Sequence, residues 1–332
     1  MYSINPSQML KNRTYNIFNV TENVPNLAEL CNQLIDAQNN SWPELAQAYN
    51  SLNNVMTRDV ECDGFSVRIQ HNPGRMINSV AAVDQKNISE RPCFLCPGSF
   101  PQEQKGILHL GEYLILCNPR PVFHSHLTVS HINHRPQAIA GNIGMLLQLI
   151  ADFGTKWTVL YNGPKCGASA PDHLHFQAIP SGLMPIEREV VQDECTNRIL
   201  CGGVEMFLPR NLGRQAVILE GNEPKTIADV FNAFVNALQG VSGSDEEPML
   251  NLAGFYEPQG WRILIFPRSK HRPDVFFLEG EGRIVVSPAV IEMGGVIVTP
   301  VEKDFERLDA RMIESMYKEV SLDNAAVEKA VG

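Results

Sequence analysis

The sequence predicts an α+β protein in which strands and helices alternate, and whose second half loosely repeats the plan of the first. Three observations carry this expectation. Short runs such as Phe65 to Gln70 and His173 to Ala178 alternate apolar and polar residues, the period of an extended chain. Longer stretches such as "NLAELCNQLIDAQ" and "AIAGNIGMLLQLIADFG" carry apolar residues at helical spacing. A helical segment, "TIADVFNAFVNALQG", then recurs ahead of a hairpin, "NLAGFYEPQGWRILIFPRSKHRP", whose turn Glu257-Pro258-Gln259-Gly260 suits a type I geometry.

Taken in order, the chain opens with packing helices. The second, "SWPELAQAYNSLNNV", has Ser41 and Glu44 in capping-box spacing with Pro43 inside the first turn. Phe65 to Gln70 reads as a strand running into the turn Asn72-Pro73-Gly74, which carries Arg75. "EYLILCNPRPVF" and "SHLTVSHINHRP" read as strands joined by a proline corner, followed by a helix that stops at Gly154. "KWTVLYNG" is a strand, "PKCGASAPD" a small-residue loop, and "HLHFQAIP" another strand. The tail "EKDFERLDARMIESMYKEV" reads as one amphipathic helix with Phe305, Leu308, Met312 and Met316 on a stripe, and the residues after Leu322 are expected to fray.

A formal charge of −10 lacks the basic field that holds a nucleic-acid backbone, although local Arg and Lys can still grip a small anion. No apolar run has the length of a membrane span, and the N-terminus lacks the charged start and apolar middle of a signal peptide. A soluble, cytoplasmic protein is the expectation, with small molecules and at most a second copy of the chain as partners. Eight cysteines, two of them in "RPCFLCPG", fit metal binding or free thiols better than a disulfide framework. The six outside that motif read as ordinary buried thiols.

In the strand "HLHFQAIP", Leu174, Phe176 and Ala178 face one way and His173, His175 and Gln177 the other. A merely solvated face would show Lys, Glu, Thr or Ser, so two imidazoles and an amide favour a site over a satisfied structural histidine. The small-residue loop just before it lets backbone N–H groups approach an anion. Cys93 and Cys96 need two further ligands to close a tetrahedral zinc site, and His134 and His173 are the natural suppliers. His131 is the rival to His134, which is favoured because it lies just past the strand end. Two free buried thiols are the plainer alternative.

With these motifs the sequence resembles the histidine-triad superfamily, and within it the branch of galactose-1-phosphate uridylyltransferases, diadenosine tetraphosphate phosphorylases and GDP-L-galactose phosphorylases. The resemblance runs from Arg91 to Pro180, and more weakly through "PRSKH" and "SPAVIEMGGVIVTP". It implies a duplicated antiparallel α+β fold flanked by helices, with residues 1–90 packing on the core, 91–185 forming the first half and 186–332 a degenerate second half. It also implies transfer of a nucleoside monophosphate through a covalent nucleotidyl-histidine, from a nucleoside diphosphate sugar or a dinucleoside polyphosphate. His175 falls on the nucleophile and Gln177 on the residue that holds the α-phosphate. Asn162, Gly167 and Ser169 match the family's phosphate loop, and Asn118 its nucleotide-binding corner. Cys93, Cys96, a histidine after the following strands and His173 match a structural zinc site. Gln177 stands where the hydrolytic triad enzymes have a third histidine, which favours a transferase or phosphorylase.

Arg75, Arg120, Lys165 and the cluster Arg268, Lys270, His271 and Arg272 are the candidates for the remaining phosphates, the cluster because "PRSKHRP" emerges from an apolar strand at a sheet end. Asp172 or a backbone carbonyl is the candidate for fixing the His175 tautomer. Two other functions fit the same residues: a metal-dependent hydrolase chelating through His173 and His175, and a zinc-stabilised nucleotide-binding protein without turnover.

Overall fold

The computed structural model describes residues 6–19, 26–76, 88, 91–192, 196–243 and 246–332. The chain enters through α1 (Pro6–Arg13), β1 (Thr14–Phe18), α2 (Leu27–Ser41), α3 (Pro43–Ser51) and the hairpin β2 (Met56–Glu61) and β3 (Ser66–His71). A first five-strand unit follows: β4 (Gly106–His109), β5 (Tyr113–Cys117), β6 (Leu127–His131), helix α4 (Ile143–Phe153), β7 (Trp157–Asn162) and β8 (His175–Pro180). After α5 (Ile186–Gln192) comes a second: β9 (Thr196–Cys201), β10 (Val204–Leu208), β11 (Val217–Gly221), helix α6 (Pro224–Ser242), β12 (Leu250–Glu257) and β13 (Gly260–Pro267).

The spatial orders are β4-β5-β6-β8-β7 and β9-β10-β11-β13-β12, so the last strand of each unit inserts between its third and fourth. The two units join antiparallel through β7 and β12, and β1 adds parallel to β4, giving one 11-stranded sheet. Identical strand order with a helix at the same place in each unit makes the duplication visible in the topology.

One face of the sheet packs under α2, α4, α6 and the last helix, α10 (Asn324–Val331), in a core that includes Leu30, Leu146, Phe176, Phe231 and Val327. The other face is covered over the second unit by a short helix, α7 (Val290–Met293), by a small sheet, in which β14 (Val296–Thr299) pairs parallel with β3, and by α9 (Ala310–Val320). The same face stays open beyond β7, where Leu116, Thr128, His175 and Gln177 line a cleft. Among the described residues no helix is long and apolar enough to cross a membrane.

Several local expectations are corrected. Ser41 ends α2, its hydroxyl donating to the Ala37 carbonyl (2.8 Å), and Trp42 is the N-cap of α3 without a side-chain bond. The tail is two helices, α8 (Glu302–Arg307) and α9. The Arg58 guanidinium takes the Phe305 and Leu308 carbonyls (2.7 and 2.5 Å) that a continuous helix would use, and Asp309 restarts the helix by accepting the Met312 N–H (2.8 Å). Residues after Leu322 do not fray, because Asp323 caps α10 and its Val327 and Ala330 are buried against α6. Of the six other cysteines, Cys31, Cys117 and Cys166 are buried and Cys62 and Cys201 half-buried, while Cys195 lies outside the described residues.

Candidate active site

The cleft, of about 800 Å³, is floored by β5, β6 and β8 and closed by the 91–104 segment, the 118–120 corner and the 287–292 segment of the second unit. His175 sits at its base, 4% exposed. Its Nδ1 lies 2.8 Å from the His173 carbonyl, an acceptor only, so Nδ1 carries the proton and Nε2 keeps its lone pair. A backbone carbonyl therefore fixes the tautomer. Asp172 is engaged elsewhere, with Arg91 (3.2 Å) and His134 (3.7 Å). Burial lowers His175 to about 4, which leaves the imidazole neutral at physiological pH.

The backbone around His175 is held by a residue without a sequence signal. Gln137 accepts the His175 N–H (2.8 Å) and donates to the carbonyls of His175 (3.0 Å) and Asn162 (2.9 Å), tying the start of β8 to the end of β7. Asn162 in turn accepts from Asn251 Nδ2 and from the Val290 N–H, both 2.8 Å, joining the phosphate-loop candidate to the second unit. Gly167 is required in that loop. Its φ of +105° disfavours a side chain, and a Cβ would meet the Ala289 Cβ at 2.5 Å.

Asn118, Asn162, Gly167, Ser169, His175, Gln177 and Arg75 all line the cleft. Three candidates do not. Lys165 is exposed and paired with Glu246, and Lys270 is held by Asp274 and Glu319. Arg268 is 3% exposed, and its guanidinium donates to Asn251 Oδ1 and to the carbonyls of Val320, Pro288, Lys270 and His271, so it builds the wall behind the cleft. The cations present are Arg75, Arg91, Arg120 and Arg272. Arg91 donates to the Ser169 carbonyl (3.3 Å) and leaves Nη1 buried without a partner, a donor available to an anionic oxygen.

Beside this cleft, Cys93, Cys96, His134 and His173 bring one ligand atom each to within 4.8 Å of one another. The Nδ1 atoms of His173 and His134 lie 3.2 and 3.3 Å from the Sγ atoms of Cys93 and Cys96. A tetrahedral ion with bonds of roughly 2.0–2.3 Å sets its ligands about 3.5 Å apart, so the four donors fit one. His173 Nε2 donates to the His131 carbonyl (2.7 Å), the outer hydrogen bond that orients a ligand imidazole. His131 itself is turned away, its ring accepting the Asn133 N–H (3.0 Å).

Three buried rings give a pH prediction. Burial holds His126 at about 3, and His175 and His271 at about 4. The unfolded chain takes up protons below about pH 6.5 that the fold refuses, so stability is complete above that pH and falls as the solution is acidified toward 4. The unfolding free energy from urea titrations should drop between pH 7 and 5.5, by roughly 1 kcal/mol per ring. Imidazole resonances of these three rings that titrate near 6.5 would contradict the neutral buried rings.

Residues 34–180 match the family model described as domain of unknown function (DUF4922), and residues 214–330 match the model described as GDPGP1-like, C-terminal domain. No curated protein matches the sequence significantly. Among solved structures the chain is similar to yeast Ap4A phosphorylase bound to AMP, with a TM-score of 0.58 and 14% identity over 88% of this chain and 96% of that one. The same enzyme bound to Ap4A gives a TM-score of 0.54 and 12% identity over 85% and 97%. An ADP-glucose phosphorylase from Arabidopsis thaliana gives 0.35 and 14% over 81% and 100%. The chain has the fold of yeast Ap4A phosphorylase.

Proposed function

We propose that the chain is a nucleotidyltransferase or phosphorylase, acting on a nucleoside diphosphate sugar or a dinucleoside polyphosphate through a covalent nucleotidyl-histidine. The observation that carries this reading is the fixed tautomer of His175, which puts an unprotonated Nε2 in a cleft furnished with amide and guanidinium donors. Nε2 attacks the α-phosphorus, the N–P bond forms, and the bond to the bridging oxygen breaks with departure of a sugar phosphate or nucleotide. An acceptor phosphate then attacks the same phosphorus and frees the imidazole. The His173 carbonyl stabilises the positive ring formed in between, Gln177 and the 162–169 loop receive the α-phosphate, and Arg91 meets its remaining charge. Arg75, Arg120 and Arg272, on the opposite wall, suit the leaving and acceptor phosphates.

Zinc is the ion proposed for the Cys93, Cys96, His134 and His173 cluster, since two thiolates and two imidazoles in a closed set suit it. Its contribution is structural: held by His173, it fixes the start of the strand that carries His175. About one zinc per chain should copurify, and Cys93→Ser should lose it together with thermal stability. Unchelated protein without metal, or a Cys93→Ser variant with full stability and metal, would exclude the assignment.

The proposed reaction is tested by supplying pure protein with ADP-, GDP- and UDP-glucose and with Ap4A, each with inorganic phosphate. Nucleoside diphosphate is the expected product. Release of nucleoside monophosphate alone would favour the hydrolase, and no turnover with any substrate would favour a binding protein.

A further inference from the structure

The cleft-facing amide of Gln177 can point only one way if its neighbours are allowed a single pattern of protons. His126 lies just before β6, 1% exposed, with no charged partner on its ring. Its Nδ1 is 3.1 Å from the Val122 N–H, and its Nε2 is 2.6 Å from Gln177 Oε1. A peptide N–H can only donate, so Nδ1 must hold a lone pair and Nε2 must hold the proton. That proton demands an acceptor, which places Oε1 of Gln177 against His126 and leaves the Nε2 amide group of Gln177 for the cleft.

From this chain of donors we infer that His126 is a positioning residue for nucleotidyl transfer: it locks the Gln177 amide with its N–H groups toward the α-phosphate, and bars the flipped form. An amide with its oxygen toward the phosphate would repel the charge that grows in the transition state. The lock is itself rigid. The His126 carbonyl accepts from the Asn118 N–H (2.9 Å) and the Tyr49 hydroxyl (3.1 Å), and the Val122 carbonyl accepts from Gln70 Nε2 (3.0 Å) on β3. The region before Arg91 thus contributes to the site by holding the corner that sets the proton pattern.

The inference rests on the nucleotidyl-histidine reading, and the experiment separates the two. His126→Asn keeps an oxygen near the Nδ1 position for the Val122 N–H but cannot reach Gln177, whereas His126→Gln returns a donor at the Nε2 position. The initial rate of nucleotidyl-protein formation, read by intact mass with the most active of ADP-, GDP- and UDP-glucose and Ap4A, should fall about tenfold to a hundredfold in His126→Asn and recover in His126→Gln. In a Gln177→Ala background, His126→Asn should change the rate less than about twofold, since the group it positions is gone. The imidazole 15N shifts of the parent should report the Nε2–H tautomer, a measurement that needs no variant to fold. Losses that multiply in the double variant, an unimpaired His126→Asn, or an Nδ1–H tautomer would each overturn the inference alone. A parent that forms no adduct would overturn the nucleotidyl-histidine reading and the inference with it.

Discussion

His175→Ala is expected to abolish both the nucleotidyl adduct and turnover, by about 10⁴-fold or more, while leaving the metal content and the melting temperature close to those of the parent. The ring is not in the four-donor cluster, and its Nδ1 is satisfied by the His173 carbonyl, so removing it costs the nucleophile and no ligand. His173→Ala should do the reverse, releasing the ion and slowing the chemistry only as the start of β8 loosens. The hydrolase alternative needs both rings on one ion. Here the His173 Nδ1 turns to the cysteines and the His175 Nδ1 to a carbonyl. Metal release from His175→Ala, with no adduct in the parent, would decide for the hydrolase.

The parts of this site that can be read in the sequence are those whose residues are close along the chain. His173, His175 and Gln177 share a face because a strand has period two, and the small-residue loop precedes them directly. The cysteine pair announces itself by spacing, and the need for two more ligands points to histidines without deciding between His131 and His134. Other parts depend on which distant residue arrives. His126 meets Gln177 from 51 positions away and Gln137 meets His175 from 38, and neither has a local pattern to mark it. The tail reads as one helix because its apolar stripe is continuous, and it breaks because Arg58 arrives from β2 to claim its carbonyls. Strands β9 and β10 did have a usable sign, the pair Gly202-Gly203 with φ of +61° and +96° between short alternating runs.

The basic segment "PRSKHRP" shows most plainly where a sequence reading of charge fails, and Arg268→Ala tests the corrected role. A cation at a sheet end looks like a phosphate ligand, but the fold turns this one inward, where it meets five neutral acceptors from four stretches of chain and no solvent. Truncation would leave the Asn251 oxygen and the Pro288, Val320, Lys270 and His271 carbonyls short of a donor in a buried space. Unmet buried acceptors cost about 1–3 kcal/mol each when water cannot replace the donor. Partial relaxation makes roughly 3–5 kcal/mol the expected loss in unfolding free energy. The cleft wall that carries His271 and Arg272 would lose its anchor, so substrate affinity should weaken only in step with stability. Arg272→Ala should separate the two properties, because Arg272 lines the cleft: substrate affinity should drop while the urea midpoint moves little. If instead Arg268→Ala kept the parent midpoint and lost substrate affinity, the guanidinium would be a ligand after all, and the wall would need another explanation.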